Sequence, residues 1–276
     1  MMPKKEREVA ILQNRLRVPR LSSISILIII LCCPIAPAFS AVTVKPTVCK
    51  YHYYQESTEV DLHKITTEYY VPTGHGRHPL VFMLHGSAGA FSLHSKDEPP
   101  RDNFGEKTLA RNCFVVVLPH YLEAFGLKSI TSKREILSLF PALLAATDTM
   151  LSTAESLPST RRKPVLLFGE SLGGYLSVAL ALQRQEVMAV SEMSAGIPAG
   201  YPVGRLPPLA MLISHGADDH VVSEDEAEKL KEFCIQHQIR FEMNIYPGSG
   251  HYFAQAIELQ CIARTVDFFR RIDRSY

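Results

Sequence analysis

From about residue 60 onward, short apolar runs alternate with longer amphipathic stretches. Val60–Val71 alternates and is rich in β-formers, and Pro72-Thr73-Gly74 then signals a turn. Pro79–Leu84 is apolar throughout, as expected of a strand covered on both faces. Runs of the same kind recur at Cys113–Leu118, Val165–Phe168, Ala189–Val190 with its flanks, Leu209–Ser214 and Phe241–Tyr246. Between them the periodicity predicts helices over Gly105–Arg111, Ser132–Ser156, Leu172–Gln185, Ser223–Gln238 and Phe253–Ile272. Ile257, Cys261, Val266 and Phe269 form an apolar stripe in the last of these. Ser223 with Glu226 reads as a capping box opening the helix before it. Such alternation predicts an α/β fold, a mostly parallel central sheet wrapped by helices on both faces. No internal repeat or linker divides the chain. Gly196–Pro208, with its prolines and glycines, reads as a long loop over the sheet rim, either a plain crossover or a wall of a substrate mouth.

The first residues follow another pattern. Residues 1–20 carry six basic side chains against two acidic ones, and Leu21–Val44 has no charged residue. A basic lead, a short apolar run centred on Ile24–Cys33 and small residues after it form a secretory signal pattern. Ala36-Pro37-Ala38 offers cleavage before Phe39, and Ala38-Phe39-Ser40 offers it before Ala41. The domain reading is therefore a signal segment over 1–38 and a single α/β domain over 39–276. An uncleaved membrane anchor is the alternative, though the apolar core is about half the length that a bilayer asks for. Cleavage removes Cys32 and Cys33 and leaves Cys49, Cys113, Cys234 and Cys261 in an oxidising compartment, where each is either bridged or a buried thiol. The chain of 276 residues is 46% hydrophobic and 21% charged, which excludes disorder as a description of the whole. Its formal net charge of +1 gives no field for nucleic acid.

The chemistry concentrates at the carboxyl ends of the predicted strands. Gly169-Glu170-Ser171-Leu172-Gly173-Gly174 lies between a buried strand and a helix, the context that gives G-x-S-x-G meaning as a nucleophile elbow. A serine hydroxyl needs a base to take its proton, and the base needs an orienting group. Leu209–Ser214 runs into His215-Gly216-Ala217-Asp218-Asp219-His220, and Phe241–Tyr246 runs into Pro247-Gly248-Ser249-Gly250-His251. The order Ser171, Asp219, His251 suits this elbow type. His251 is preferred to His220, which abuts the carboxylates and has no separate strand end from which to reach the serine. Asp219 is preferred to Asp218, which reads as a cap or turn residue of the same loop. His215 and His220 crowd with the two aspartates into one loop without a distant partner, so no metal site is read there. The oxyanion donors are predicted to be the backbone N–H groups of Leu172 and of Ser87, with Gly86 next, in the turn His85-Gly86-Ser87-Ala88-Gly89. Tyr121 and Leu122, after Leu118-Pro119-His120, are candidates for the acyl pocket.

These motifs resemble those of the α/β-hydrolase superfamily, and within it the dienelactone hydrolase-like family. The shared strings are His-Gly-x-x-Gly at His85–Gly89, Gly-x-Ser-x-Gly-Gly at Gly169–Gly174, Gly-x-x-Asp-x-x-Val at Gly216–Val222 and Pro-Gly-x-Gly-His at Pro247–His251. The resemblance covers about residues 60 to 272, and its third string selects Asp219. Dienelactone hydrolases use a cysteine nucleophile where position 171 is serine, so the resemblance implies a serine esterase or related acyl hydrolase. The expected activity is cleavage of small carboxylic esters through a Ser-His-Asp triad and an acyl-enzyme, in an exported protein that needs no cofactor. A serine peptidase and a non-catalytic binding module on a hydrolase scaffold are the alternatives. The expected partner is a small-molecule ester, with membrane contact only through an uncleaved N-terminal segment.

Overall fold

The strands predicted from apolar runs are central strands of one sheet because their side chains are apolar on both sides. In β3 (His78–Leu84), Leu80, Phe82 and Leu84 enter one core cluster while Val81 and Met83 enter another. β4 (Val115–Pro119), β5 (Thr160–Glu170) and β7 (Ala210–Gly216) divide in the same alternating way. On the first face the cluster is closed by α2 (Lys133–Glu155), α3 (Leu172–Gln183) and α4 (Glu224–Gln236). On the second it is closed by α1 (Glu106–Arg111) and α5 (Gln255–Asp273). Each fully buried Leu, Val or Phe of these faces stabilises the fold by roughly 1.5–3 kcal/mol. The computed structural model describes residues 48–60, 63–90, 105–200 and 208–275. The signal segment over 1–38 and positions 201–207 of the Gly196–Pro208 loop lie outside the described residues.

The sheet has eight strands in the order β1-β2-β4-β3-β5-β6-β7-β8, with β6 at Val187–Met193 and β8 at Arg240–Tyr246. From β4 through β8 every pairing is parallel, whereas β2 (His63–Pro72) runs antiparallel to both β1 (Tyr51–Val60) and β4. The carboxyl ends of β3, β5, β6, β7 and β8 therefore open on one rim.

Two features depart from the sequence reading. β1 was not anticipated: Tyr51–Val60 is polar and almost wholly exposed, an edge strand with no core face to impose alternation. It is attached instead through ten register pairs with β2 and through rings, Tyr54 stacking on Tyr69 at 4.8 Å and Tyr53 tilting on Tyr70 at 4.9 Å. The capping box at Ser223 does not form. Ser223 is the N-cap of α4, but its side chain makes no cap bond, and Glu226 turns away to accept from Lys229 Nζ at 2.6 Å. Within the alternatives left open by sequence, Cys49 and Cys113 form a disulfide while Cys234 and Cys261 are buried thiols. Burial pushes the Cys234 thiol up to about 12.

The disulfide spans 64 residues of sequence and ties the entry to β1 to the turn before β4. A loop of that length restricts the unfolded chain strongly, so breaking the bridge in a Cys49→Ser/Cys113→Ser variant is expected to cost about 2–4 kcal/mol. Urea unfolding of the variant and the parent checks this, and coincident midpoints would refute it.

Candidate active site

Ser171 occupies the single residue between the end of β5 and the start of α3, with φ 50° and ψ −119°. A non-glycine residue in such a conformation is strained by on the order of 1–3 kcal/mol and needs support from its surroundings. Two glycines provide the room. A Cβ on Gly173 would stand 2.0 Å from the Leu84 carbonyl oxygen, and one on Gly169 would stand 2.3 Å from the Gly173 carbonyl oxygen. The Ser171 N–H donates to the Met193 carbonyl at 2.9 Å, which ties the elbow to the end of β6.

His251 and Asp219 arrive from the ends of β8 and β7. His251 Nε2 is 3.0 Å from Ser171 Oγ, and His251 Nδ1 is 2.8 Å from Asp219 Oδ2. With Nδ1–H donating to the carboxylate, Nε2 is left to accept the serine proton. Asp219 Oδ1 accepts the N–H groups of Val221 at 2.8 Å and Val222 at 2.9 Å, so both oxygens of this buried carboxylate are engaged. Asp218 and His220 in the same loop are exposed. His215 is buried and bonds through Nε2 to the Val222 carbonyl at 2.9 Å, 3.5 Å from Asp219 Oδ2. Among the described residues no cluster of His, Cys, Asp and Glu suited to a metal ion is found.

The turn expected to supply an oxyanion donor lies against the elbow. A Cβ on Gly86 would be 3.5 Å from Ser171 Cβ. Ser87 is half-buried and its carbonyl accepts from Ile130 N–H at 2.7 Å, while Leu172 is the first residue of α3. Burial lowers the His85 imidazole to about 3, so the ring is neutral and Nδ1–H donates to the Gly86 carbonyl at 2.8 Å.

Tyr121 and Leu122 are the residues expected near the acyl pocket, and Leu122 lines a small cavity with His85 and His120. Both are buried, in the short 3-10 turn Tyr121–Phe125. The Tyr121 hydroxyl donates to the His85 carbonyl at 2.7 Å and its ring stacks on the His85 imidazole at 4.2 Å. Tyr121 thus braces the His85 turn, with its ring packed in the core.

The sequence reading passed over the segment after β6. Ser194 has φ 53°, donates its N–H to the Ser214 carbonyl at 2.9 Å and its Oγ–H to the His251 carbonyl at 3.1 Å. It therefore links the ends of β6, β7 and β8 behind the imidazole. Beside it, Glu192 is fully buried, with Oε2 accepting from Ala195 N–H at 2.9 Å. Burial pushes its carboxyl up to about 8. A glutamate inside a buried apolar strand was the available signal. Burial, with Glu258 nearby, also raises Glu170 to about 7.

The sequence of residues 101–259, more than half of the chain, matches the Dienelactone hydrolase family. The chain belongs to that family, and it is an α/β hydrolase that acts on esters. It is 25% identical over 201 residues to a putative carboxymethylenebutenolidase of Synechocystis sp., covering 66% of this chain and 78% of that protein. It is 27% identical over 215 residues to a probable feruloyl esterase C of Aspergillus oryzae, covering 75% and 76%. The fold is similar to that of a dienelactone hydrolase-like promiscuous phosphotriesterase from metagenomic libraries. There the TM-score is 0.63 at 13% identity, over 80% of this chain and 98% of the other.

Glu192 carries a pH prediction. Its carboxyl titrates at the ordinary 4.5 when unfolded and at about 8 when folded, so the folded state holds the proton more tightly. The stability that this proton contributes is complete below the unfolded value and is lost as pH rises toward about 8. Glu192→Gln removes that loss, so its unfolding temperature is expected to gain on the parent between about pH 5 and pH 8 and to level off above that. Parallel melting curves across that range would disprove the assignment.

Proposed function

We propose that the chain is an exported serine hydrolase that cleaves small carboxylic esters through Ser171, His251 and Asp219. The observation that carries this reading is the continuous run of hydrogen bonds from Ser171 Oγ through His251 to Asp219. Ser171 Oγ attacks the ester carbonyl as His251 Nε2 takes its proton. The tetrahedral oxyanion is held by the N–H groups of Ser87 and Leu172, the second at the positive end of α3. His251 passes the proton to the leaving alcohol, and an acyl-Ser171 ester remains. Water, deprotonated by the same imidazole, then attacks the acyl carbon and restores the hydroxyl. Asp219 fixes the imidazole tautomer and stabilises the imidazolium. The ester-hydrolase names of the two relatives, a butenolidase and a feruloyl esterase, support the reaction class. The chemistry is complete in these residues and calls on no cofactor.

Export rests on the basic lead and apolar run, with the Cys49–Cys113 bridge compatible with an oxidising compartment. The proposed division is a signal over 1–38 and one hydrolase domain over 39–276. Produced in an exporting host, the mature chain is expected to begin at Phe39 or Ala41. N-terminal sequencing reads this directly, and an intact Met1 on the purified protein would reject cleavage.

Ser171→Ala is expected to lower ester turnover about 10⁴-fold or more and to abolish labelling by a fluorophosphonate. Unchanged turnover would remove Ser171 from the mechanism, and the absence of any turnover in the parent would favour a binding module. Asp219→Asn is expected to lose far more activity than Asp218→Asn, measured with the same ester.

A further inference from the structure

An exposed apolar side chain by itself signifies little, because much of any protein surface is apolar. Two of the most exposed among the described residues, Tyr252 at 74% and Val221 at 71%, belong to the two loops joined by the His251–Asp219 hydrogen bond. Val221 donates its backbone N–H to Asp219 Oδ1 at 2.8 Å. Tyr252 directly follows His251, and its ring centre stands 5.1 Å from the imidazole at 79°, edge to face. The adjacent Phe253 turns inward onto Tyr246 at 5.4 Å. The loop therefore spends one aromatic on the core and leaves the other in solvent beside the base.

That location has a chemical meaning in the proposed reaction, on which this inference rests. The atom that receives the proton from His251 Nε2 is the leaving oxygen, which must come within about 3 Å of that nitrogen. Tyr252, exposed and centred 5.1 Å from the imidazole, is the aromatic side chain that the structure sets beside the ring that carries this nitrogen. Gly86, which also comes close to Ser171, has no side chain to offer an apolar contact.

We propose that Tyr252 forms an apolar rest for the leaving alcohol and makes the enzyme selective for esters of aromatic or bulky apolar alcohols. The tyrosine face supplies area and ring contact to the alcohol, while the acyl half is bound elsewhere.

Two ester series measured by proton release test this. One keeps an acetyl group and varies the alcohol through methyl, butyl and benzyl. The other keeps methanol and varies the acid through acetyl, butyryl and phenylacetyl. In Tyr252→Ala the ratio of kcat/KM for benzyl acetate over methyl acetate is expected to fall about tenfold, mainly through KM. Tyr252→Phe is expected to retain the ratio, since the ring and not the hydroxyl makes the contact. The preference within the acyl series is expected to shift by less than about twofold. An unchanged benzyl-to-methyl ratio, an equal shift in the acyl series, or a uniform fall in kcat for all esters would each overturn the proposal. Ser171→Ala, assayed alongside, separates the two readings. Residual turnover there would fail the triad, whereas a dead Ser171→Ala with an unaltered ratio in Tyr252→Ala would fail only the alcohol rest.

Discussion

The amino end of α3 must come within touching distance of the strand ends for this rim to exist. At Gly173 the backbone lies so near the Leu84 carbonyl that a Cβ would be 2.0 Å from its oxygen. This approach lifts Ser171 out of the sheet into a turn with φ 50° and points the positive end of a buried helix at the same spot. A hydroxyl in this position is kept there by neighbours and not by its own conformational preference. The Met193 carbonyl takes the Ser171 N–H, Ser194 holds the His251 backbone, and Tyr121 holds the His85 carbonyl. Rigid strand ends, cross-linked by short hydrogen bonds, provide the fixed geometry that acyl transfer requires.

Two buried carboxyl groups a few residues from the rim show how partners decide what a carboxyl does. Asp219 accepts from Val221, Val222 and His251, which together offset the cost of removing its oxygens from water. Glu192 has the Ala195 N–H on Oε2 and no comparable set of donors on Oε1, and burial drives its carboxyl up to about 8. At neutral pH it therefore holds its proton and places little charge behind the elbow. A hydrogen-bonded but uncharged group in this position braces the β6 segment without competing with Asp219 for the imidazole.

How much could be read beforehand follows from what leaves a mark in sequence. Buried parallel strands did, because both faces are apolar, and so Pro79–Leu84 and Leu209–Ser214 were placed within a residue or two. Residues at strand ends beside glycines did as well, which is why Ser171, Asp219 and His251 could be named and are found in hydrogen-bond contact. β1 did not, since an exposed edge strand is specified by its partner's backbone and by rings such as Tyr70 that belong to another strand. Ser194 left no mark because its role arises from a positive φ and from two loops distant in sequence. Tyr121 is placed near the rim by sequence, but its bond to the His85 carbonyl is not foreseen. Its stacking on His85 depends on a turn more than thirty residues away, and the sequence does not say which side the ring faces.

The sheet also separates durability from chemistry. Its β1–β2 end, with the Cys49–Cys113 bridge and the stacked tyrosines, lies two strands or more from β5, where Ser171 is borne. Its β5–β8 end carries the three side chains on parallel strands with no intervening edge. Loops at that end are free to vary in length and composition as long as the strand termini keep their spacing. Tyr252 and Val221 illustrate this, being exposed apolar positions on the loops that carry His251 and Asp219 and yet outside the core. The loop tips next to Ser171, His251 and Asp219, rather than the core beneath them, are where a scaffold of this kind has room to change which ester it accepts.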